Sequence, residues 1–208
     1  VFAIALGIPM GVLAAVKRGS GWDYFGRGLA IVGQAAPPFV TALVAIWIFA
    51  VWLEWLPAGG RSPEFNWKEY ILPCTALGWG AAASLMRLTR SSMLEVLDSE
   101  YIRLARAKGV NWNWVIYKHA LRNALIVPVT SALLTFSGWL NGALVVEIVF
   151  SWPGIGYEAL YRAVNDNDFP LLLGTVFIFI LIYLVFATIA DIAYTIIDPR
   201  VRIGDSSE

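Results

Sequence analysis

The sequence predicts an all-α, polytopic membrane protein: five transmembrane helices, with a helical loop on the cytoplasmic side between the third and the fourth. Three observations carry that expectation. Only 14% of the 208 residues are charged and 59% are hydrophobic, for a mean hydropathy of +0.67. A soluble domain carries about 25% charged residues, and one of this length could not bury so much apolar surface. Five stretches contain no charged residue at all, and the basic residues between them crowd into alternate loops.

The stretches run, in order, over Val1–Val16, Leu29–Leu53, Tyr70–Met86, Asn123–Val146 and Phe169–Ala190. A crossing helix needs about 20 apolar residues, with a range of about 17–25. Four stretches meet that length, and the first falls one residue short where the chain begins. Backbone polar groups in hydrocarbon must bond internally, so each stretch is expected to be helical. Pro37 and Pro38 lie inside the second and should kink or unwind it locally. Trp47, Trp52 and Trp55 crowd its far end, where aromatic belts sit.

Twelve of the fifteen basic residues fall in Lys17–Gly28, Arg87–Arg122 and the tail after Asp198. The intervening loops hold only Arg61, Lys68 and Arg162. The basic side is therefore expected to be cytoplasmic, with the C-terminus on it. The first stretch then starts outside, with neither Met nor a secretory leader ahead of it. The expectation is a six-helix protein whose first helix and extracytoplasmic segment precede Val1.

Catalytic chemistry finds little support. One Cys (Cys74) and one His (His119) make neither a disulfide framework nor a Cys/His zinc site. A net charge of zero gives no basic field for nucleic acid. The sequence holds no G-x-x-x-x-G-K-[ST] phosphate loop, no H-E-x-x-H and no G-x-S-x-G. Polar residues within spans are the functional suspects instead. Gln34 either bonds carbonyls freed at Pro37 or lines a path. Asn141, beside Ser137 and Gly138, suits helix packing or a path. Asp191 near the basic side suits pairing with a loop Arg. Glu147 opens a Pro-Gly-Ile-Gly segment, as a gate residue or a simple boundary.

The loop Arg87–Arg122 is too patterned for a connector. Leu94, Leu97, Tyr101, Leu104 and Ala105 recur at helical spacing, while Glu95, Asp98, Arg103 and Arg106 point elsewhere. Ser99 and Glu100 mark a helix start, and Lys108 and Gly109 its end. The helix either lies on lipid headgroups or docks a partner. Its small residues and mixed charges favour docking.

Here the residues resemble a known family. Glu100-Tyr-Ile-Arg-Leu-Ala-Arg-Ala-Lys-Gly109, followed by His119-Ala-Leu-Arg-Asn-Ala-Leu125 and Pro128, is similar to the coupling loop of binding-protein-dependent ABC importer permeases, in their dipeptide, oligopeptide and nickel branch. Gly7-Ile-Pro-Met-Gly11 before Lys17-Arg-Gly19, Glu147-Ile-Val-Phe-Ser-Trp-Pro-Gly-Ile-Gly156 and Asp198-Pro-Arg-Val-Arg202 resemble that branch in the right order. The resemblance implies one permease domain over residues 1–208 in the inner (plasma) membrane of a prokaryote. It implies a second permease, two ABC ATPase subunits and an extracytoplasmic solute-binding protein as partners. ATP and magnesium would belong to the ATPases, and this chain would bind no cofactor. The implied coupling residues are Glu100, Tyr101, Arg103, Ala105, Arg106, Ala107, Lys108 and Gly109. Gln34, Pro37, Asn141, Glu147, Pro153 and Gly154 become candidates for the pore or gate. One departure stands out: Arg103 occupies the place of the glutamate in the general Glu-Ala-Ala-x-x-x-Gly motif. A secondary transporter or channel without an ATPase is the rival reading; it would usually show paired intramembrane charges or a repeated half.

Overall fold

The computed structural model describes residues 1–136 and 139–197, with side chains other than those of 133–142, 190, 191 and 193–197. Every element among the described residues is helical. They are α1 (Phe2–Val16), α2 (Gly21–Ala35) and α3 (Pro38–Ala45), the last running on in wider π-type turns over Ile46–Trp52. Next come α4 (Lys68–Leu97), α5 (Glu100–Ala107) and the single turn α6 (Trp112–Trp114), which widens over Val115–Ala120. After α7 (Leu121–Ala124), α8 (Ile126–Phe136) and α9 (Trp139–Val149), a wide stretch over Gly156–Tyr161 leads into α10 (Arg162–Asn165). The series closes with α11 (Phe169–Ile197).

Two helical segments, Lys68–Leu97 and Phe169–Ile189, are long and apolar enough to cross a membrane, and a third results if α2 and α3 count together across their break. The break falls at the predicted prolines: Pro37 is extended (φ −60°, ψ 150°) and Pro38 opens the next helix, where a missing N–H costs nothing. The fourth charge-free stretch is divided among α7, α8 and α9. Leu125 ends α7, so that Pro128 falls in the first turn of α8. Lys17–Gly28, read from sequence as a loop, is helical from Gly21 onward. The side chains of Asn141 and Asp191 lie outside the described residues, as do Ser137, Gly138, Asp198, Arg200 and Arg202.

The chain forms two compact units. One comprises Val1–Gln34, Ala81–Leu134 and residues 189–197. Its core joins Val12 and Ala15 of α1 to Met93 of α4, Ile102 of α5 and Val115, Ile116 and Ala120 beyond α6. Small residues let α1 lie directly on α4. A Cβ on Gly7 would stand 2.6 Å from the Ala82 carbonyl oxygen, and one on Gly11 would stand 2.6 Å from Thr89 Cβ. α2 buries its small and acidic residues, Asp23, Gly26, Ala30 and Gly33, and exposes Trp22, Tyr24, Phe25, Ile31 and Val32. In water that distribution would be inverted; it fits a helix whose outer face meets lipid.

Asp23 closes this unit electrostatically. It is 1% exposed, and its carboxylate accepts Arg90 Nε at 2.7 Å, Arg90 Nη2 at 3.0 Å and the Gly19 amide at 2.9 Å. Arg27 stands 3.5 Å away. The two-pronged Arg90 hydrogen bond, with the Gly19 amide and both guanidinium charges, outweighs burial and holds the carboxyl down at about 2.

The other unit comprises Ala35–Gly80 and Thr135–Thr188. Its core is Ala42 of α3, Leu72 and Ala76 of α4, Val146 of α9 and Phe150. Thr41 Oγ1 donates to the carbonyls of Pro38 (2.8 Å) and Ala76 (3.3 Å), joining α3 to α4. Trp47, Trp52 and Trp55 are exposed, as interfacial anchors would be.

Candidate functional site

The predicted coupling residues share one short exposed element. α4 ends at Leu97, Ser99 turns extended (ψ 153°), and α5 begins at Glu100. Ser99 does not cap the helix with its side chain; its hydroxyl donates back to Val96 O. At the far end Gly109 has φ +76°, the left-handed conformation that favours glycine. The Gly109 amide donates to Arg106 O (3.0 Å) and the Val110 amide to Ala105 O (3.2 Å), which together satisfy the last carbonyls. A Cβ on Gly109 would meet nothing within 4 Å.

The buried face of α5 differs from the predicted one. Ile102 is the anchor at 1% exposure, with Ala105 beside it, whereas Leu104 is 61% exposed and Tyr101 is also exposed. The predicted row carried a single helical spacing from Leu94 across the helix start at Ser99 and Glu100. The extended Ser99 resets the phase, so Ile102 takes the inward position. α5 thus presents Leu104, Arg103, Arg106, Ala107 and Lys108 outward. Glu100 and Arg103 pair on its surface at 2.9 Å. Tyr101 and Asn123 pin it from behind: Asn123 Nδ2 donates to Tyr101 Oη (3.0 Å) and to His119 O (3.2 Å). His119 contributes a backbone carbonyl there. Arg106 lies over the Trp112 ring at 5.2 Å and Lys118 over Trp114 at 4.7 Å.

The second locus is the turn after α9. Glu147 Oε2 accepts the Tyr157 amide at 2.9 Å, ten residues along, and Glu147 O accepts the Trp152 amide at 2.8 Å. The carboxylate therefore caps the start of the helical stretch at Gly156 and folds the intervening segment back on α9. Gly154 and Gly156 make that possible, since a Cβ on Gly154 would sit 2.3 Å from Glu147 Cδ and one on Gly156 would sit 2.9 Å from Oε2. Pro153 belongs to the same turn.

Around it the loop ahead of α4 is fastened. The Gly60 amide donates to Phe150 O (2.7 Å), and a Cβ on Gly59 would stand 2.4 Å from that oxygen. Ser62 donates its amide (3.0 Å) and its hydroxyl to Glu69. The hydroxyl bond, more than any other cause, holds the Glu69 carboxyl below the usual carboxylate range. Tyr70 and Trp152 meet edge to face at 4.7 Å. Between α4 and α9 lies a cavity of about 210 Å³ whose walls include Tyr70, Cys74, Leu77, Val146, Glu147 and Trp152. Gln34 is half-buried in the last turn of α2, and Pro37 is exposed at the break; neither joins this cluster.

Residues 7–203 match the family of the binding-protein-dependent transport system inner membrane component. The chain belongs to that family. A protein of Brucella suis, by name a peptide permease, is 39% identical over 208 residues. The glutathione transport system permease protein of Salmonella typhimurium is 40% identical over 202 residues. Each match covers 97% of this chain and 65% of the relative, so the chain spans about 65% of the length of these curated relatives. The dipeptide transport system permease protein of Alkalihalophilus pseudofirmus is 40% identical over 227 residues, with 97% of this chain and 68% of that protein covered. The crystal structure of an amino acid ABC transporter, solved with histidines, has the same fold at a TM-score of 0.66 and 15% identity, over 96% of this chain and 87% of that one. Family membership places the chain among inner membrane components of binding-protein-dependent transport systems.

Proposed function

We propose that this chain is one of two permease subunits in an ATP-driven importer for short peptides or glutathione-like solutes. Its five charge-free stretches cross the membrane within a single permease domain, with the basic loops and the C-terminus in the cytoplasm. α5 seats in a groove of an ABC ATPase. An extracytoplasmic binding protein delivers the solute, and ATP and magnesium act on the ATPases. Closure of the ATPase pair would push α5 and carry α4 and α1 with it, a two-state movement biased by nucleotide.

The observation that carries the reading is the form of α5. A helix of eight residues does not hold itself together. This one is pinned from behind by Ile102 and the Tyr101–Asn123 bond, yet it leaves Leu104, Ala107 and Lys108 exposed on its outward face. Gly109 keeps its end narrow enough for close approach. Peptide, dipeptide and glutathione cargo are named for relatives, and their shared chemistry is the substrate class proposed here.

Two substitutions test the docking role. Gly109→Asp adds a side chain and a negative charge at a helix C-terminus, which the dipole disfavours. Ala107→Glu places a carboxylate on the exposed face; Ala105→Glu is less clean, because Ala105 is half-buried against the core. Both variants should reach the membrane at normal levels, lose co-purification with the ATPase and lose at least tenfold in ATP-driven uptake. Normal uptake in both would remove α5 from the coupling path.

A further inference from the structure

From the cavity between α4 and α9 we infer a binding site for a primary alkylammonium group, the end that dipeptides and glutathione have in common. The inference rests on the permease reading and adds a chemical contact to it. The cavity holds about 210 Å³, less than the roughly 300–1,000 Å³ of sites that engulf a whole drug-sized ligand. It is sized for one end of a solute. Glu147 supplies a carboxylate in its wall, and the rings of Tyr70 and Trp152, 4.7 Å apart, supply aromatic faces and edges. Among the described residues the remaining walls are apolar and include no Lys or Arg. One carboxylate beside aromatic rings in an otherwise apolar hollow selects a compact cation over an anion or a neutral group. Among the described residues the Glu147 carboxylate accepts one amide, from Tyr157, which leaves lone pairs for an ammonium. The edge-to-face pair also fixes the Trp152 ring, so binding orders little that is loose.

Cys74, the only cysteine of the chain, is exposed and lines the same cavity, so the rate at which its thiol forms a mixed disulfide with an added reagent reports what occupies it. The assembled transporter would be reconstituted in phosphatidylglycerol vesicles, which contain no amine. Modification of Cys74 by a cationic and by an anionic methanethiosulfonate reagent would be timed by mass spectrometry of this chain. The cationic reagent should be favoured by about tenfold over its advantage with a free thiol, the order of effect a neighbouring unit charge has at intermediate dielectric. In Glu147→Gln, which keeps an acceptor for the Tyr157 amide, that preference should vanish. Millimolar propylammonium chloride should slow labelling in the wild type several-fold, while propionate and sodium chloride should not. An unchanged preference in Glu147→Gln, no protection by propylammonium, or no labelling of Cys74 would each overturn the site. So would protection by phosphatidylethanolamine vesicles alone with none from soluble amine, since the occupant would then be a lipid headgroup. ATP-driven uptake, measured on the same vesicles, separates the two readings. Uptake that persists while the labelling results fail removes the ammonium site and leaves the permease; no uptake and no associated ATPase removes the permease reading itself.

Discussion

Glu147 and its glycines are matched by size. The carboxylate reaches the Tyr157 amide only because Gly154 and Gly156 leave room beside it. An alanine at 154 would strike the far end of a flexible side chain, which can swing aside at the cost of its hydrogen bond, about 1 kcal/mol. An alanine at 59 would strike the Phe150 carbonyl oxygen. Backbone cannot step aside so easily, and overpacking costs about 1–3 kcal/mol. Gly174 in α11 has nothing within 4 Å of an added Cβ, and alanine there should cost nothing or gain up to about 1 kcal/mol of helix propensity. Thermal unfolding in detergent should therefore rank Gly59→Ala least stable, then Gly154→Ala, with Gly174→Ala at or above wild type. A Gly59→Ala protein as stable as wild type would show that the loop does not sit against Phe150.

At the scale of elements, the Asp23–Arg90 pair binds the start of α2 to α4, ten residues before α5 begins. Asp23 lies ahead of the charge-free stretch that starts at Leu29. Its folded-state value of about 2 lies below the roughly 3.9 of an unfolded chain. The unfolded form therefore takes up the proton first as pH falls. The stabilisation is complete above about pH 4 and disappears as pH drops towards 2. Asp23→Asn leaves Arg90 without its partner and should cost about 3–5 kcal/mol at neutral pH. Unfolding followed between pH 5 and 2 should show an acid-dependent loss in the wild type that Asp23→Asn lacks. Parallel pH curves for the two proteins would refute the pair. None of this was legible in the sequence, where Asp23 is one acid among basic residues and Arg90 lies 67 positions away. What could be read was local: the proline break after α2, the start and stop of α5, and the polar helix between apolar stretches. The buried face of α5 was misread because side-chain phase survives only while a helix is continuous, and Ser99 interrupts it. The Glu147 fold-back was half visible; an acid ahead of Pro-Gly-Ile-Gly marked a turn, but the amide it caps depends on a chain reversal that spacing does not encode.

For the whole molecule, charge-free length and helix length do not count the same thing. Among the described residues two helices are long and apolar enough to cross a bilayer by themselves and a third is so only if α2 and α3 are joined, yet basic residues alternate across all five stretches. The two views agree if the protein completes its crossings with broken helices, whose free backbone groups are satisfied by neighbouring protein. That requirement makes the topology testable at single positions. In a Cys74→Ser background, cysteines would replace Arg61 and Ile155 in the sparsely charged loops and Leu104 and Asn111 in the basic one, all four exposed. A membrane-impermeant maleimide applied to intact spheroplasts should modify positions 61 and 155. Positions 104 and 111 should react only after the membrane is opened. Five crossings demand that pattern, because an odd number of membrane passages separates each tested loop from the next. If 104 reacted from outside together with 61, α4 would not cross, and both the orientation and the seating of α5 on a cytoplasmic ATPase would fail together.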